Sequence, residues 1–177
     1  LSPYAIAELL DLTDAQQHRF MQAYDVATAL LRELGIFPAR GRPEEDQQAL
    51  EWDELETGYP GLELQFLMDV IGAFRLVLEK GETETFQPRH PRLQGATEKL
   101  FARVKPVAKS DSSVASWRAL LGKLSTLARL RVFDRGRDEH NQPVRPLNFA
   151  KMLQPGMVSV IDLSDTGSPV VTNLVIA

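Results

Sequence analysis

The segment from Leu62 to Leu78 limits the choice of fold more than any other. Its apolar residues are Leu62, Leu64, Phe66, Leu67, Met68, Val70, Ile71, Phe74, Leu76, Val77 and Leu78. Spread over a 3.6-residue period they cover nearly the whole circumference of a helix, and a helix that is apolar all round must be covered by others. No run of about 18 apolar residues occurs anywhere in the chain, so this is a core helix and not a membrane span. The expected fold is therefore a multi-helix bundle with residues 62–78 at its centre.

The rest of the first two thirds supplies the covering helices. Ser2-Pro3 reads as a cap and first helical position, with Tyr4, Ile6, Leu9 and Leu10 on the apolar side of a short helix. Thr13 and Gln16 have the spacing of a capping box that opens a long helix carrying Phe20, Tyr24, Ala27, Leu31 and Leu34, with Gly35 as its stop. A Pro/Gly loop over 36–43, an acidic segment over Glu44–Glu56 with a short helix, and a turn at Gly58–Gly61 follow. After a polar connector over 82–91, a helix from Leu93 to Lys105 is expected to end at Pro106. Ser110–Ser113 then caps a helix with Val114, Trp117, Leu121, Leu124 and Ala128 on one side and Arg118, Lys123 and Arg129 on the other.

Near the end the pattern changes. Residues 134–146 form a long polar loop, Asn148 caps one turn, and Gly156–Asp165 holds the one convincing buried strand, at 157–163. A short apolar run closing on an acidic and small-polar turn is typical of a central parallel strand, which needs parallel neighbours. Residues 169–177 then read as the start of a helix. The expected organisation is a helical bundle over 1–130, followed over 131–177 by a loop, a core strand and a helix start from an α/β core. With no Met at Leu1, the chain is expected to be a piece of a larger α/β enzyme.

Charge is distributed unevenly. The net charge of −4 hides a balance of −11 over residues 1–87 and +9 over 88–151. Two readings stand: differently decorated solvent faces, or a basic part that meets a polyanion or a neighbouring subunit. The same two apply to Arg129, Arg131, Arg135, Arg137 and Arg145, which run from the last helix of the bundle into the polar loop. Guanidinium forks suit phosphate, in DNA or in a nucleotide.

Catalytic motifs are not in evidence. Gly122-Lys123-Leu124-Ser125 lacks the earlier glycine, the adjoining Ser or Thr and the preceding strand of a phosphate loop, and Gly122 is read instead as a site of close helix packing. Val158–Asp162 has the outline of a Walker B strand, but no Glu follows Asp162, and a turn-capping role for that carboxylate is preferred. His18, His90 and His140 stand apart from one another, His18 on a helix surface and His90 between prolines. The absence of cysteine excludes disulfides, thiolate metal sites and Cys nucleophiles, and fits a reducing cytoplasm. No catalytic, cofactor-binding or metal-ligating residue is assigned.

Three stretches, LSPYAIAELLDLTDAQQ (1–17), SVASWRALLGKLSTLARLRVFD (113–134) and LQPGMVSVIDLSDTGSPVV (153–171), resemble the middle of HerA-like P-loop ATPases. These are hexameric DNA translocases with a RecA-like core, related to FtsK and the conjugative coupling ATPases. In that family a helical insertion follows the Walker A half of the core, and the chain re-enters the sheet through a strand of the form found at Gly156–Ser164. The resemblance implies a fragment of an ATP-dependent DNA translocase or helicase whose full-length protein uses ATP and Mg²⁺, forms a homo-hexamer, engages DNA and works with a nuclease subunit. It places Asp162 on the re-entry strand and not on the Walker B carboxylates, so no catalytic residue carries over. The helical module would serve DNA, partner or inter-subunit contact. A free-standing helical interaction module without ATPase association is the alternative. A helix-turn-helix DNA reader is weaker still, for no short basic helix follows a tight turn.

Overall fold

Helix ends along this chain are set by local chemistry that is visible residue by residue. In the computed structural model, which describes residues 2–38, 41, 44, 58–80, 86–109, 113–129 and 156, α1 spans Pro3–Leu9 and opens with Ser2 Oγ accepting the Ala5 N–H at 2.9 Å. It closes with the Leu12 N–H on the Ala7 carbonyl and the Asp11 N–H on the Glu8 carbonyl, both at 3.0 Å. That is the paired-bond Schellman stop, and it requires a left-handed residue at Asp11, whose φ is +46°. The second helix, α2 (Asp14–Glu33), begins with the expected reciprocal box. The Gln16 N–H reaches Thr13 Oγ1 and the Thr13 N–H reaches Gln16 Oε1. It ends in the same stop as α1, with Gly35 at φ +66° in the left-handed position and the Ile36 N–H on the Leu31 carbonyl at 2.9 Å.

The central helix, α3, spans Leu64–Lys80, two residues later than the apolar pattern suggests. Phe66, Leu67, Val70, Ile71, Ala73 and Phe74 are all essentially removed from solvent. A single turn, α4 (Pro91–Gln94), comes next, then α5 (Thr97–Ala108) and α6 (Val114–Arg129). The helix expected over 93–105 is thus divided at Gly95–Ala96 and runs past its expected end. Pro106 lies inside α5 and does not stop it. The proline is exposed, as is Ala102, whose carbonyl loses its intrahelical donor, so water can take that place. Continuing for two more residues buries Ala108 on the core beside Val104.

Helix α3 packs against α2, α5 and α6, and α2 packs against the same two outer helices. Among the described residues no substantial α5–α6 interface is formed. The α2–α3 pair therefore forms the spine of the bundle, with α5 and α6 on separate flanks. Phe74 of α3 and Trp117 of α6 stack with centroids 4.3 Å apart and planes 6° from parallel. Both rings are fully buried, and a large side chain so placed contributes about 1.5–3 kcal/mol by area alone.

The chain divides into two compact units, Leu1–Arg129 and Leu130–Ala177. All six described helices belong to the first, and every regular element among the described residues is α-helical. The expected strand at 157–163, the helix start at 169–177, the loop over 134–146 and the acidic segment beyond Glu44 lie outside the described residues. Gly122 corrects another expectation. It is mid-helix, but it is exposed, and a methyl group built on it would meet nothing within 4 Å. It serves no close packing among the described residues.

Candidate functional site

The described polar groups sort into those that are consumed in holding the bundle and those that face water. Among the described residues Asp69 is the one carboxylate buried in the apolar body of α3. Such a group must be hydrogen-bonded, and both its oxygens are: Oδ2 accepts the His90 backbone N–H at 2.7 Å and Oδ1 accepts Gln65 Nε2 at 2.8 Å. His90 is buried as well. Its Nδ1 accepts the Arg92 N–H and so caps α4, its Nε2 lies 3.3 Å from Glu63 Oε2, and its ring meets Phe66 edge-on at 5.2 Å. With Nδ1 an acceptor, the ring proton sits on Nε2 and is directed at Glu63. Both nitrogens and both carboxylate oxygens are occupied, and the node ties the connector before α4 onto α3.

Reading His90 as an isolated histidine missed this node. The signal that would have found it is Asp69 itself, a lone acid among Phe66, Leu67, Met68, Val70 and Ile71.

A second node joins the far end of α2 to the residues before α3. Tyr24 Oη accepts the Tyr59 N–H at 2.7 Å, and the Tyr59 hydroxyl donates to the Phe37 carbonyl at 2.8 Å while accepting from Arg32 Nε. The Arg32 guanidinium also lies 5.2 Å from the Tyr59 ring centroid.

Of the arginines singled out in the sequence, Arg129 is the last residue of α6 and is exposed. Arg131, Arg135, Arg137 and Arg145 lie outside the described residues, so their grouping with Arg129 is not described. The other α6 cations are largely committed. Arg118 Nε donates to Glu79 Oε1 of α3 at 2.7 Å, and Lys123 Nζ donates to the carbonyls of Leu10 and Asp11, closing the end of α1.

Among the described residues, further free positive charge lies at α4 and α5, where sequence reasoning named no residue. Arg89, Arg92, Lys105 and Lys109 are exposed and carry no side-chain hydrogen bond or ion pair among the described residues. Between them Lys99 and Arg103 share Glu33 of α2, at 3.9 and 3.0 Å, and remain 47% and 50% exposed. The signal was present in the sequence as the basic balance of residues 88–151. What it could not show was which cations were already paired.

Elsewhere His18 is exposed on α2, as expected. Burial against its surroundings raises the Asp25 carboxyl above its ordinary pKa. No group of three or more His, Asp or Glu residues suited to a metal ion occurs among the described residues. No helix among them is long and apolar enough to cross a membrane. Chemically, the described surface offers charge for an anion to meet, and its two buried polar nodes hold the helices together. No family model, no curated protein and no solved structure matches the chain.

Proposed function

We propose that the chain is the helical module and adjoining core segment of a HerA-like, ATP-driven DNA translocase, and that the bundle serves contact with DNA and with neighbouring subunits. The observation that carries this reading is the division of polar groups. The buried acid and histidine are used up in holding the bundle, while Arg89, Arg92, Lys105 and Lys109 at α4 and α5, and Arg129 on α6, stand exposed and, among the described residues, unpaired. The order of the three family-like stretches, 1–17, 113–134 and 153–171, supports it. Under this proposal ATP and Mg²⁺ are held by parts of the full-length hexamer other than these residues, a nuclease subunit is a candidate partner, and the compartment is the cytoplasm.

The coding sequence upstream of Leu1 tests the assignment directly. It should encode Gly-x-x-x-x-Gly-Lys-Ser/Thr directly after a strand, because the phosphates must be cradled by backbone N–H groups at the start of a helix. A coding sequence without that motif rejects the translocase. One observation favours a second reading, a free-standing interaction module: the first unit holds a core of its own, from Ile6 to Leu124. Under that reading the bundle binds its partner without any ATPase attached.

A further inference from the structure

We propose that the solvent face of α4 and α5 is a nucleic-acid contact surface that grips the sugar-phosphate backbone without reading bases. The inference rests on the DNA-contact reading above and moves its centre away from α6 and the arginine-rich loop. On α5 and its C-cap Lys109, Leu100, Phe101, Val104 and Ala108 are buried, while Glu98, Lys99, Ala102, Arg103, Lys105, Pro106 and Lys109 are exposed. At 100° per residue the exposed positions span an arc of about 160°. Lys105 and Lys109 hold one edge of that arc, and Lys99 and Arg103 hold the other, next to Glu33. Arg89, just before α4, and Arg92, on it, add two exposed cations on the N-terminal side of α5. Glu98 is the one acid on this stretch and Glu33 is shared by two cations, so Lys99, Arg103, Lys105 and Lys109 outnumber the acids beside them, with the excess at the Lys105–Lys109 end.

The twelve residues of α5 make a rod of about 18 Å. Duplex DNA rises about 3.4 Å along its axis for each phosphate of a strand, so this length matches the axial rise of roughly five phosphates. No exposed aromatic side chain lies on the face; the exposed large apolar side chain of the described residues is Tyr4, on α1. Base stacking is therefore not provided for, and the chemistry offered is charge and hydrogen-bond donation to phosphate oxygens. Small residues at Ala102 and Pro106 leave the middle of the arc low, with the cations raised on both sides.

The test uses the complete 177-residue chain and a fluorescein-labelled duplex of about 30 base pairs, with anisotropy titrations between roughly 25 and 200 mM salt. Two variants are compared with the parent chain: Arg89→Ala/Arg92→Ala/Lys105→Ala/Lys109→Ala, and Arg129→Ala/Arg131→Ala/Arg135→Ala/Arg137→Ala/Arg145→Ala. All four side chains of the first variant are exposed, and circular dichroism checks that its helix content and melting are unchanged. We expect its affinity at about 50 mM salt to fall roughly tenfold or more. Its slope of log K against log salt should become shallower by about 0.9 for each phosphate no longer neutralised, roughly 3.6 if all four cations meet phosphates. Lys105→Arg/Lys109→Arg should bind like the parent. Parent-like affinity and slope in the first variant, with binding abolished in the five-arginine variant, would overturn the α4–α5 surface while leaving the DNA reading intact. Absence of duplex binding by the parent chain at the lowest salt would overturn both. Equal affinity for polyglutamate at matched salt would mark the face as a site for acidic protein and would likewise reject the proposal.

Discussion

Gly122→Ala should make this protein more stable, and the size of the gain follows from the surroundings of one carbon atom. Gly122 sits in the middle of α6, on its exposed side, and a Cβ placed there meets no heavy atom within 4 Å. Nothing in the bundle has to move to admit a methyl group. The substitution then acts through the backbone alone. Glycine loses more conformational freedom on entering a helix than any other residue, and in an exposed helix interior Ala is better by about 0.8–1.0 kcal/mol. Spread over a unit of this size, that corresponds to a rise in Tm of roughly 3–5 °C. In a urea titration followed by helical circular dichroism, with m of about 1–3 kcal/mol/M, the midpoint should rise by roughly 0.3–1 M at constant m. A decrease in stability would refute the reasoning. It would mean that another part of the protein lies against the α-carbon of Gly122, and that close packing at this glycine, as its sequence context suggests, is its role after all.

Three further outcomes follow from the same structure. Asp11 holds a left-handed φ of +46° at the end of α1, where Gly35 does the same for α2; Asp11→Gly removes the side-chain penalty at a smaller cost in chain entropy and should stabilise by about 0.5 kcal/mol in denaturant titration, whereas a net decrease would show that the Asp11 side chain holds this turn. Asp69→Ala leaves the buried His90 N–H without its charged acceptor and should cost about 2–4 kcal/mol, with a matching fall in Tm; a change under about 0.5 kcal/mol would show that the node is dispensable. Burial raises the Asp25 carboxyl, so the native state holds that proton more firmly than the unfolded chain does, and the benefit present below the ordinary pKa disappears as pH rises through the folded-state value. The residue is exposed enough for solvent to screen it, so Asp25→Asn should be neutral to slightly stabilising at pH 7, within about 0.5 kcal/mol, and should remove the part of the stability loss that sets in as pH rises through the folded-state value. A clear drop in stability at pH 7 would reverse that sign.

Amino-acid order alone determined the helical character of the bundle, because capping and periodicity act over three or four residues. Ser2, the Thr13–Gln16 box and Gly35 perform the roles their positions imply, and the all-round apolar run at 62–78 marks the helix that all the long ones cover. Long-range packing decided the rest. Pro106 is carried inside α5 because burying Val104 and Ala108 outweighs one missing hydrogen bond on the wet side. His90 became half of a buried node because Asp69, 21 positions away, needed a donor. Arg118, Lys123, Lys99 and Arg103 were drawn towards α3, α1 and α2, while Arg89, Arg92, Lys105 and Lys109 were left to solvent. A chain encodes how many charges it has; which of them remain available to a partner depends on distances across the bundle that no local pattern contains.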